Sequence, residues 1–170
     1  MRVIIMAVIL LVNMVLQASA LPYFEILNVK PDTAILIIVS YAVLRGDVEG
    51  AILGFCAGLL RDVFFSDYIG LHALLGLCVG YFCGKPFKNF FPENYLPPLI
   101  LSAISLFAYE FADYFFNLLF QGKVDIWFYF RTIILPTVIY TVILAMPIYR
   151  LLYALDKRLE KHERKKRRTA

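Results

Sequence analysis

Polar chemistry is scarce in this chain. Charged residues fill 18% of its 170 positions, histidine occurs twice and tryptophan once. Soluble domains are about 25% charged and about 45–50% apolar. Here the apolar share is 61% and the mean hydropathy is +0.74. One compact soluble domain of this length cannot bury that much apolar surface. A soluble enzyme, a disordered chain, a collagen and a disulfide scaffold are thereby excluded. What remains is an all-α polytopic membrane protein with almost no extramembrane mass.

Cysteine is equally sparse. Cys56, Cys78 and Cys83 all lie inside apolar runs, and no CxxC pair occurs. An odd count without polar flanks is no disulfide framework, and zinc has no ligand pair. The three read as small buried hydrophobes. There is also no HExxH, GxSxG, Walker or dinucleotide loop. Neither an enzyme nor a cofactor or metal site is expected.

Positive charge is concentrated at one end. Lys157, Arg158, Lys161, Arg164, Lys165, Lys166, Arg167 and Arg168 crowd one window with only Glu160 and Glu163. That window is +6 in a chain of net +4, so the rest is −2. The high pI belongs to the tail and does not indicate nucleic-acid binding. A polybasic stretch beside a span contacts anionic lipid; docking of an acidic cytoplasmic partner is the sharper alternative.

Six apolar runs fit spans of roughly 20 residues, with allowance for short ones. They are Val3–Leu21, Pro31–Leu44, Val48–Phe65, Ile69–Gly84, Pro97–Phe120 and Trp127–Tyr153. Pro31 suits a first helical turn. Residues 1–155 form one transmembrane domain and 156–170 a cytoplasmic polybasic tail. Two alternatives stay open. Arg2 and Ala18-Ser19-Ala20 also fit a cleaved signal peptide, although a retained span is favoured. Spans two and three could form a re-entrant hairpin, which protein would have to cover.

Loop charge sets the orientation. With six spans, Arg2, Arg45, Lys85, Lys88, Arg150 and the eight tail cations share one side. Lys30, Arg61, Lys123 and Arg131 lie opposite. Both termini are therefore expected in the cytoplasm.

Seven of the nine glycines form two series of period four: Gly46, Gly50, Gly54, Gly58, and Gly76, Gly80, Gly84. Each series leaves a groove along one helix face that admits a second backbone. The groove serves either packing within the chain or a partner helix. In the partner reading, Gly54→Leu or Gly58→Leu breaks complex assembly.

Ionisable groups at membrane depth are costly and call for a reason. Arg45, Asp47 and Glu49 cluster at one end of span three, and Arg61, Asp62 and Asp67 at the other. Interfacial solvation is the ordinary explanation. Asp62 also continues the glycine spacing from Gly58. Glu110 and Asp113 lie three apart on one helix face inside span five. Arg131 is a candidate partner for Asp113, while Glu110 has no obvious cation. Without a nucleophile or positioned histidine beside them, a structural pair is favoured over acid–base catalysis. His72, one turn before Gly76, reads as a packing residue.

Certain residues carry a family resemblance. Gln17, Ser19, Leu21 and Pro22 precede Lys30-Pro31-Asp32, then Arg45-Gly46 and the run Gly50-xxx-Gly54-xxx-Gly58-Leu59-Leu60-Arg61-Asp62. Gly70-Leu71-His72-Ala73-Leu74 and Gly80-Tyr81 follow. Over residues 17–84 the chain resembles the MreD family of rod shape-determining proteins. The resemblance implies a non-enzymatic subunit of the bacterial elongation complex. Its implied partners are MreC directly, with MreB, RodA and a class B penicillin-binding transpeptidase. It further implies that Pro31, Asp32, Arg45, Gly46, Gly50, Gly54, Gly58, Asp62, Gly70 and Leu71 shape packing and partner surfaces. The family is similar in fold to the substrate-binding subunit of energy-coupling-factor vitamin transporters, the alternative functional reading. There an outward pocket would gather Asn28, Asp62, Asp67, Asp113 and Arg131.

Overall fold

The computed structural model describes residues 2–19, 31–66, 69–85, 96–121, 127 and 130–168. Leu21, Pro22, Asn28, Lys30, Asp67, Lys88 and Lys123 lie outside the described residues, as does Ala20 of the possible cleavage site. Six α-helices make up the described chain: α1 (Arg2–Ser19), α2 (Thr33–Arg45), α3 (Asp47–Phe65), α4 (Leu71–Gly84), α5 (Leu96–Gln121) and α6 (Leu135–Arg168). A π-helical turn, Phe130–Ile134, leads into α6. Pro136 lacks an N–H and cannot bond the carbonyl four residues back, which favours a widened turn there. Thr137 Oγ1 donates to the Ile133 carbonyl at 2.6 Å.

The helices start and stop close to the expected runs. Pro31 is a difference. It lies before α2, and Asp32 is the cap: Oδ1 accepts from the N–H groups of Ala34 (3.1 Å) and Ile35 (3.2 Å). A capping carboxylate satisfies donors that the first turn leaves free. Gly46 ends α2 and begins the turn into α3 with φ +100°, a conformation that side chains rarely adopt. At the C-terminal end the helix outlasts the apolar run. α6 continues through the expected boundary at 155 as far as Arg168. The tail is rich in Lys, Arg, Glu and Leu, good helix formers that give no reason to stop.

α2 is the hub. Its residues 35–42 are all buried, so the helix has no open face. A helix that is apolar all round must be surrounded. α3, α4, α5 and α6 do this, and α1 leans on α2 and α3. One core cluster joins Met6, Leu10, Ile38, Tyr41, Leu53 and Leu152; another joins Ile35, Val39, Cys83, Leu106 and Tyr109. At 13 residues α2 is about 20 Å long, shorter than a bilayer core of about 30 Å. Its cover of protein is what such a short segment needs. Among the described residues, two stretches are long and apolar enough to cross a membrane, Pro98–Phe116 and Phe130–Leu159.

α3 and α4 form the most extensive helix pair, and the glycines explain it. A Cβ built on Gly54 would fall inside the Gly76 carbonyl, and one on Gly76 inside the Gly54 carbonyl. A Cβ on Gly50 would meet Ala42 of α2 as well as the Gly80 carbonyl, one on Gly58 the backbone of His72, and one on Gly84 that of Gly46 and Asp47. The rungs step four residues up one helix and four down the other. Each series therefore fills the other's groove. The channel that a partner helix would have entered is occupied by this chain's own backbone.

Candidate functional site

The same ladder positions the buried charges. Asp62 stands one turn beyond Gly58, where α4 begins. Gly70 takes φ +109° there and turns successive N–H groups toward α3. Asp62 Oδ2 accepts from Gly70 N (2.9 Å) and Ala73 N (3.0 Å), and Oδ1 from His72 N (3.1 Å). A carboxylate on α3 thus caps the N-terminus of α4, where the helix dipole favours an anion. Asp62 is 1% exposed, so interfacial solvation does not account for it.

His72 ties this cap to α5. Its Nδ1 lies 2.7 Å from Asp62 Oδ1, and its Nε2 lies 3.1 Å from Asp113 Oδ1. The expectation of no histidine beside the acidic pair is corrected here: His72 is positioned against Asp113. Ser66 Oγ is also 3.0 Å from Nδ1. Serine, histidine and aspartate meet, yet the roles fail. The closer Asp62 oxygen takes the Nδ1 proton, leaving no lone pair to activate Ser66.

A second knot lies alongside. Arg61 pairs with Asp32 Oδ2 at the mouth of α2 and stands over the Tyr109 ring, 5.5 Å from its centroid. The Asp32 backbone N–H donates to Thr141 Oγ1 on α6 at 3.1 Å. Asp32 is 5% exposed, and Arg61 reaches it from α3. Glu110 is buried within electrostatic reach of Arg61, Asp32, Asp113 and His72. A cation missing from its own sequence neighbourhood is thus supplied by α3. Together these groups join α2, α3, α4, α5 and α6 at one end of the bundle.

The opposite end has a smaller tie. Arg45 donates to Asp156 Oδ1 from Nε (2.8 Å) and Nη2 (2.5 Å), and Tyr41 donates to Glu49 at 2.9 Å. The pair is mostly buried and fastens the α2–α3 turn to α6. Arg45→Ala should lower stability by about 1–2 kcal/mol, between the exposed and buried limits for ion pairs. Thermal unfolding in detergent reads this directly; an unchanged midpoint would remove the tie from the account.

The other expected residues are dispersed. Arg131 is exposed at the π-helical turn, and Leu71 opens α4. Lys157 stands over the Tyr153 ring, Arg158 is exposed, and the side chains of Lys161, Arg164, Lys165, Lys166, Arg167 and Arg168 lie outside the described residues. Of the residues expected to gather in an outward ligand pocket, Asp62 and Asp113 meet at His72. A roomy cavity lies elsewhere, between α1 and α6, and its lining is almost wholly apolar. No group of three potential metal ligands is found among the described residues. The chemistry on display is helix fastening.

Comparison with curated proteins and with solved structures finds no match, so likeness to a transporter subunit gains no support there. A family comparison does match. The family described as rod shape-determining protein MreD matches residues 1–159 of this 170-residue chain, well beyond the stretch 17–84 that carries the resemblance. The chain belongs to the MreD family of rod shape-determining membrane proteins.

Proposed function

We propose that this chain is a non-catalytic scaffold of the bacterial elongation complex. It binds MreC and links MreB, RodA and a class B penicillin-binding transpeptidase, and so scaffolds peptidoglycan synthesis and cell shape. It is a multi-pass protein of the cytoplasmic membrane with both termini in the cytoplasm. The loop-charge asymmetry supports that orientation.

The observation that carries this reading is the use to which buried polar groups are put. Asp32, Arg61, Asp62 and His72 each hold one helix of this chain to another. A rigid body with apolar outer faces is what a membrane scaffold requires, because helix association in lipid depends on shape rather than on the hydrophobic effect. The partner surface then lies on outward faces and not in the glycine grooves. Depleting the protein should turn rods into spheres, and MreC should co-purify with the full chain after mild solubilisation. Persistent rod shape with no paralogue in place would contradict the proposal.

A further inference from the structure

An open groove of about 440 Å³ lies between α1 and α6. α1 rests on α2 and α3, and α6 on α2 and α5, which leaves a wedge above α2. Val8, Val12 and Leu16 line one wall, Ile148 and Leu151 the other, and Ile37 the floor. Val8, Val12, Leu16 and Leu151 are each more than half exposed, so the groove opens outward. From Val8 to Leu16 it runs about 12 Å along α1. A single extended hydrocarbon chain can lie along a slot of that length.

Along α6 the groove points toward a basic segment. Two helical turns beyond Leu151, on the same line of α6, stands exposed Arg158, and Lys165 follows in the same register. α1 begins at Arg2. An apolar channel that runs toward cations matches a molecule with an apolar chain and a negative head. We propose that this groove binds an anionic phospholipid, with one acyl chain between α1 and α6 and the phosphate against Arg158. The inference rests on the chain being embedded in a bilayer with its basic tail at the cytoplasmic surface, as proposed above.

The test uses the purified full chain in nanodiscs of mixed phosphatidylcholine and phosphatidylglycerol. Lipid retained after a delipidating wash is counted by native mass spectrometry. Wild type should retain phosphatidylglycerol in preference to phosphatidylcholine. Arg158→Gln should reduce that preference about fivefold, the worth of one basic residue near an anionic surface. Val12→Trp should fill the groove and remove most retained lipid, with circular dichroism and unfolding temperature unchanged, because Val12 faces outward. Equal retention of the two lipids overturns the proposal. So does undiminished lipid in a folded Val12→Trp variant, or displacement of lipid by an apolar transmembrane peptide. The lipid counts leave the scaffold reading untouched, since they are made with no other protein present.

Discussion

Leucine at Gly54 should leave no folded protein to purify. Overpacking a core by a few methylene groups typically costs about 1–3 kcal/mol, because neighbouring side chains can yield. At Gly54 the first atom of any side chain already falls on the Gly76 carbonyl, which is helix backbone. Relief requires α3 and α4 to separate, and that would open every other rung of the ladder. Total stabilities of about 5–15 kcal/mol leave little to absorb this. The membrane fraction should contain degraded or aggregated chain, read by yield and by gel filtration. Ile52 supplies the comparison. It is 60% exposed two residues away on the opposite face of the same helix, and Ile52→Ala should stay within about 0.5 kcal/mol of wild type.

Arg61→Met should also be severe, for an electrostatic reason. It strands the Asp32 carboxylate, 5% exposed, without its cation. Breaking a buried pair in this way costs about 3–5 kcal/mol. Adding Asp32→Asn should recover part of the loss. The amide oxygen can still accept from Ala34 and Ile35, while the stranded charge is gone. Thermal unfolding of the two single variants and the double variant should give a coupling of about 1–3 kcal/mol. Strict additivity would mean that Asp32 and Arg61 do not act as a pair.

Much of this architecture was legible before any coordinates. Apolar runs broken at Gly46 and near Gly70 mark the helices to within a few residues, and the period-four glycines announce close helix packing. Their mutual engagement was not legible. It depends on the register between α3 and α4, which no local pattern records. The charges followed the same rule. Asp32 and Arg61 are 29 positions apart and belong to different helices, so neither names the other. A clue did exist for Asp62 and His72. Asp62 lies one step beyond one glycine series and His72 one step before the other, so an antiparallel ladder brings their ends together. Reading both series as one interlocked object would have found the pair. The end of the last helix was not legible for a plainer reason: a rise in charge marks where an apolar span ends, not where a helix ends.

The most direct measurement is the thermal unfolding of purified Gly54→Ala, alone in detergent. A groove shaped to admit some other protein's helix would tolerate one methyl group until that protein arrived. Backbones already pressed together within this chain would not. We predict a clearly lowered midpoint with no other protein present. A midpoint equal to wild type, with only complex formation impaired, would show that the interlocked pair does not hold this molecule together.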